Sequence, residues 1–144
     1  VFMTGLGRQE VEWIAAHTDG WLFYTTPVEQ QALNIKRWRR LTAHPGEPGY
    51  KPFNQATYVD LSENPTSAPR AIHQGLSLGR EPLLEFLHAW QDIGIDQLMI
   101  NFKHSRRPVS EVIAEFDEYI LPHFPAGPVL TPETMTPAGV ARAT

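Results

Sequence analysis

Thr4-Gly5-Leu6-Gly7-Arg8-Gln9 follows a short apolar run, Val1-Phe2-Met3, and precedes a helix-patterned stretch, Glu10–Ala16. A turn of this kind suits a phosphate. Its glycines let the backbone come close to a ligand, and a helix start offers unpaired N–H groups and a positive dipole end. Thr4 has a hydroxyl to donate and Arg8 a charge-assisted hydrogen bond. The bland alternative is a tight strand-to-helix turn, because a short glycine motif has little specificity on its own.

A second constellation is Gly75-Leu76-Ser77-Leu78-Gly79, with Asp96 and His104 or His123 further on. It has the G-x-S-x-G spacing and residue order of an α/β-hydrolase. Pro82 speaks against that chemistry. An elbow helix opens directly after its serine, which would bury Pro82 within the helix at a cost of about 3 kcal/mol. Pro82 suits the first turn of a helix starting near Arg80, which leaves Ser77 in a loop. None of the six histidines belongs to a dense ligand pattern, so no metal site is expected. His73 and His104 fall in loops and are weak candidates for an acid/base group or a ligand contact; a loop histidine is more often simply exposed. Lys103-His104-Ser105-Arg106-Arg107 follows a strand and is either an anion site or an ordinary charged turn. Lys36, Arg37, Arg39 and Arg40 cluster on a helix without aromatics placed for base stacking, and read as a solvated face.

Composition narrows the classes. The 144 residues suffice for one domain with a real core. A net charge of −4 argues against a nucleic-acid partner. With no cysteine, disulfides, thiolate metal sites and a cysteine nucleophile are excluded, which fits a cytoplasmic protein. No apolar run approaches the roughly 20 residues of a membrane helix.

The elements that must position these residues alternate. Strands are expected at Val1–Thr4, Trp21–Tyr24, Phe53–Leu61 and Ile95–Phe102, with a short extended piece at Ala71–Gln74. Helices are expected at Glu10–Ala16, where Val11, Ile14 and Ala15 share a face, and after Thr26-Pro27-Val28-Glu29, which reads as a capping box. That second helix would end at His44-Pro45-Gly46. Two more helices are expected at Pro82–Ile93, closed by Gly94, and from Val109 to Ile120. Residues 125–144 read as a Pro/Thr-rich tail. Four βα units imply parallel strands with crossover helices, about half of an eight-unit barrel. Gln97 and Asn101, polar in an apolar strand, point to a barrel interior.

Thr4–Gln9, Val11–Ala16 and Asp19-Gly20-Trp21 resemble the fifth strand, fifth helix and sixth strand of the bacterial-luciferase-like flavin-dependent monooxygenases. Ala89–Phe102 resembles that family's last helix-to-strand step, and Ser105–Pro108 with Val109–Val112 its final turn and helix. The resemblance covers most of residues 1–124 and implies the C-terminal half of a (β/α)8 TIM barrel. It implies a cytoplasmic oxidoreductase in which reduced FMN, or a deazaflavin, works with oxygen to oxidise a small organic substrate. The flavin phosphate would lie near the start of the first helix, at Thr4, Gly5, Leu6, Gly7, Arg8 and Gln9, with Tyr24, His73 and His104 at the barrel mouth. Some relatives carry small hydroxyl residues where this chain has Gly7-Arg8-Gln9. The chain opens on a strand with Val1, so a missing N-terminal half is expected, and this half alone is expected to be inactive. Open strand edges and an apolar inner face of Leu22, Val59, Leu98 and Ile100 predict pairing with that half or with a second copy as a homodimer. A non-catalytic assembly module is the alternative from another class.

Overall fold

A computed structural model describes residues 1–125 of the chain. The expected tail therefore lies outside the described residues from 126 onward. The elements are β1 (Phe2–Thr4), α1 (Val11–His17), β2 (Gly20–Tyr24), α2 (Val28–Leu41), β3 (Phe53–Leu61), β4 (Arg70–Ile72), β5 (Gly75–Leu78), α3 (Arg80–Asp92), β6 (Gln97–Asn101) and α4 (Val109–Glu115). A π-helical turn over Phe116–Ile120 and a 3-10 turn over Leu121–His123 prolong α4. No described helix is long and apolar enough to cross a membrane.

The fold is α/β around one mostly parallel, six-stranded sheet. β1 pairs with β2, β2 with β3 and β3 with β6, all parallel. These are the four strands expected from the sequence. β4 and β5 form an antiparallel hairpin, and β5 pairs in parallel with the far end of β3. Alternate residues of a strand direct their backbone groups to the same side. The carbonyl of Pro52 accepts from Trp21 of β2, and the amides of Tyr58 and Ser62 donate to Gln74 and Leu78. The carbonyl of Phe53 instead accepts from Asp96, ahead of β6. The hairpin thus continues the β2 side of β3 beyond the end of β2, at the C-terminal end of the sheet.

Period-two alternation along β3 sorts its side chains. Phe53, Val59 and Leu61 pack into the helices, with Gln55 beneath α2. One core cluster sets Trp21, Phe53 and Val11 against Ile35 and Trp38 of α2. The other sets Val59, Leu61 and Leu78 against Leu83, Leu87 and Trp90 of α3 and Val112 and Phe116. Trp38 is fully buried, and its indole N–H donates to the Lys51 carbonyl at 2.9 Å, which satisfies the one polar group the ring brings inside. Register carries this pattern across the sheet: Leu98 and Ile100 lie opposite Gln55 and Thr57, so they face the helices too. The other face carries Thr4, Leu22, Asn54 and Gln97 in one row, Tyr24, Ala56 and Met99 in the next, then Tyr58 and Asn101.

Several expectations are corrected. Of the supposed apolar inner face only Leu22 lies there; Val59, Leu98 and Ile100 belong to the helix-facing core. Gln97 and Asn101 do lie on the helix-free face, as their polarity suggested. The Thr26 capping box does not form: Thr26 donates to Gln31 Oε1 at 2.8 Å, and α2 opens after Pro27 with no side-chain cap. α2 ends at Leu41, three residues before His44, where the Thr42 hydroxyl donates to the Trp38 carbonyl. Gly75–Leu78 is a strand rather than a loop, because Leu76 and Leu78 alternate toward the core in register with Val59 and Leu61. Gly94 does terminate α3, in the left-handed region at φ +93°.

Two ion-pair groups hold the ends of the sheet. At the N-terminal end, Asp96 accepts from the Phe53 amide at 2.6 Å, from Arg39 at 2.5 Å and from the Tyr50 hydroxyl. Burial, with the neighbouring Asp96 carboxylate, pushes the Tyr50 phenol up to about 12. At the other end Glu115 is clasped by Arg80 at 3.1 Å and Arg107 at 2.7 Å, tying α3 to α4.

Candidate site at the C-terminal ends of the strands

The loop after β1 contains three left-handed residues in four: Gly5 at φ +60°, Gly7 at +54° and Arg8 at +63°. Among the described residues Arg8 and Gln74 are the non-glycine residues found in this region, which costs a non-glycine residue about 1–2 kcal/mol. The Gly5 amide donates to Leu22, and Gln9 closes a turn onto the Leu6 carbonyl. The amides of Leu6, Gly7 and Arg8 make no hydrogen bond among the described residues, and neither does the Arg8 guanidinium. Successive free N–H groups in a left-handed turn form an anion-binding concavity. Thr4 is exposed on the helix-free face, and Gln9 is exposed at the end of the turn.

Helix α1 itself contributes little to that concavity. It begins only at Val11 and has seven residues, with Glu10 as its cap and Glu12 in its first turn. Those carboxylates would oppose an anion at the helix start, and Arg37 neutralises Glu12 from α2 at 3.0 Å. The expected helix-end phosphate site is thereby reduced to the loop amides and Arg8.

Tyr24 ends β2 and leans over this loop. A Cβ at Gly5 would stand 3.2 Å from the Tyr24 ring, so glycine permits that contact as well as the positive φ. Along the same rim His73 and His104 come together around Tyr58, with ring centres 6.4 Å and 4.8 Å from it and 6.5 Å from each other. His73 sits in the β4–β5 turn and His104 beyond β6, so the fold joins residues 31 positions apart. His123 lies elsewhere, against His88.

Sequence reasoning missed Asp60, which organises this end. Asp60 is 4% exposed on the helix-free face of β3. It accepts from the Ser77 hydroxyl at 2.9 Å, from the Arg106 Nε at 2.9 Å and from the Arg106 amide at 3.1 Å. Burial pushes the Asp60 carboxyl up, but the Arg106 backbone N–H, the Ser77 hydroxyl and the Arg106 charge outweigh it and hold it below the usual range. The available signal was an acidic residue inside the strand Thr57-Tyr58-Val59-Asp60-Leu61, two places from Tyr58 and on its face.

This latch also settles two candidates. Ser77 is buried on β5 and donates to a carboxylate, with no hydrogen bond to a histidine among the described residues, while Asp96 is engaged at the opposite end of the sheet. No hydrolase triad is assembled from Ser77, Asp96 and His104 or His123. In the basic turn, Arg106 and Arg107 are matched internally by Asp60 and Glu115, so this segment is chiefly a structural clasp. Among the described residues no cluster of three metal-ligating acidic, histidine or cysteine side chains occurs. Compared with the models of known protein families and with curated proteins, the chain matches none.

Proposed function

We propose that this chain is the C-terminal half of a (β/α)8 barrel in a luciferase-like, flavin-dependent oxidoreductase acting on a small organic substrate. The observation that carries the proposal is the Leu6–Arg8 loop: three unpartnered amides and an unpaired guanidinium beside Tyr24, at the C-terminal ends of parallel strands. Barrel enzymes of this architecture keep their active sites at that face. The parallel order β1, β2, β3, β6, with a helix before each next parallel strand and the β4–β5 hairpin inserted between β3 and α3, fits four consecutive barrel units.

The donors present fit a flavin phosphate, whether of FMN or of a deazaflavin. The amides of Leu6, Gly7 and Arg8 would hold its oxygens, and Arg8 would add a charge-assisted bond. Thr4 and Gln9 flank this cradle, and Tyr24 would shield one side of it from water. When bound, the flavin supplies the redox chemistry toward oxygen and substrate. His73, His104 and Tyr58 lie along the same rim and would orient the substrate or carry a proton. Flavin fluorescence titration of the purified protein tests the proposal. Saturable binding of FMN that Gly7→Val abolishes is expected. Binding unchanged by Gly7→Val would remove the phosphate from this loop.

A further inference from the structure

The Tyr58–His73–His104 cluster shares a rim with the phosphate loop but none of that loop's donors, and its reading as a substrate site rests on the proposed function. Among the described residues, none of these three side chains has a hydrogen-bond partner for its polar tip. Tyr58 is half-buried while both histidines are exposed, so the three rings meet at the surface with no hydrogen bond among them. The arrangement is built in detail. Gly75 brings the hairpin against β3 so closely that a Cβ there would lie 1.9 Å from the Tyr58 carbonyl oxygen. Gln74, next to His73, takes the left-handed conformation at φ +51°. Backbone strain of this kind gathers at sites with a function. The Asp60 latch fixes Arg106, two residues beyond His104, onto β3.

The spacing selects the ligand. Two imidazoles sharing a metal at about 2.1 Å from each nitrogen hold their ring centres about 5 Å apart in tetrahedral geometry. An oxygen accepting from both rings at about 2.8 Å stands about 4 Å from each centre, so rings up to about 8 Å apart can share it. The observed 6.5 Å is too wide for a tetrahedral metal and suits a shared oxygen. The nearby charges favour an anion. Lys103 adjoins His104 in sequence, and Arg106 already matches the carboxylate of Asp60; Glu63 lines a cleft with Arg106 and Arg107. The row next to Tyr58 on the same face holds Ala56, Met99 and Tyr24, a mostly apolar floor for an organic body.

We infer that Tyr58, His73 and His104 form a recognition site for the carboxylate of a small organic acid with an apolar body. Recognition consists of hydrogen bonds donated by the two imidazoles and the phenol, and no bond is made or broken.

Benzoate is the probe, titrated into the full chain with no flavin present while the histidine ring resonances are followed by NMR. Saturable shifts of His73 and His104, with the other four histidines still, are expected. His73→Gln or His104→Gln should each weaken binding about tenfold and the double substitution should abolish it. Both rings are exposed, so melting temperatures should stay within a degree or two of the parent. Equal shifts at all six histidines, or undiminished benzoate binding by the double variant, would overturn the inference. Shifts confined to the Gly7 and Arg8 amides would also overturn it, while leaving the phosphate loop intact.

Discussion

Asp60→Asn is the most informative single change at the rim. The amide keeps the shape of the carboxylate and one oxygen, which can still accept from the Arg106 amide. The other position becomes a donor facing the Ser77 hydroxyl at 2.9 Å and the Arg106 Nε at 2.9 Å. Two charge-assisted bonds are lost and one donor–donor opposition is created. Hydrogen bonds to a charged group contribute about 1.5–3 kcal/mol each. The Arg106 side chain is 70% exposed and regains water, which removes much of its share. The net cost should be about 2 kcal/mol, or a fall of about 6 °C in Tm for a chain of this size. The pH dependence fixes the cause. Because the folded Asp60 carboxyl is held below the ordinary aspartate value of 3.8, its contribution is complete above that value and disappears as pH falls through the depressed folded value. The gap between parent and variant, read from urea melts, should be full at pH 7 and begin to close below pH 3.8. A gap under about 0.5 kcal/mol at pH 7, inside the range of ordinary surface changes, would refute the latch.

Gly75→Ala should force the hairpin off β3, since its Cβ would lie 1.9 Å from a backbone oxygen. A loss of about 3 kcal/mol by thermal melting is expected, and a Tm shift under about one degree would mean the strands move apart freely. Tyr50 should ionise only near pH 12 in a tyrosinate absorbance titration, later than an ordinary phenol at 10.0. Its stabilising contribution is complete below 10.0 and vanishes as pH rises through about 12, and Asp96→Asn should bring the titration back toward 10.0. β1 and β6 each pair on one side only among the described residues. Light scattering at micromolar concentration should therefore report a dimer or larger, because unpaired strand edges recruit other strands; a cooperative monomer would show those edges to be covered.

The frame of the fold was legible because its signals are local and repeated. The apolar spacing of Val11, Ile14 and Ala15, the β-branched core of β3 and the glycine after α3 each fix an element without help from the rest. The hairpin was hidden because Gly75 and Ser77 have little strand preference of their own. They adopt it because Gly75 fits under the Tyr58 backbone and Ser77 meets Asp60, contacts that exist only after folding. The inner face was misjudged for a related reason. Apolar residues along β6 do not say which face is buried until register places Leu98 opposite Gln55. Among the site residues, the glycine loop, Tyr24, His73 and His104 stood out by type. Asp60 did not, since a lone acidic residue in a strand names no partner 46 positions away.

The central claim is that the Leu6–Arg8 amides hold the phosphate of a flavin. The most direct measurement compares FMN with riboflavin, which lacks the phosphate, by amide NMR of the chain. FMN should shift the Leu6, Gly7 and Arg8 resonances saturably and bind at least tenfold more tightly than riboflavin. Equal affinity for the two, or FMN shifts that leave those three amides in place, would contradict it.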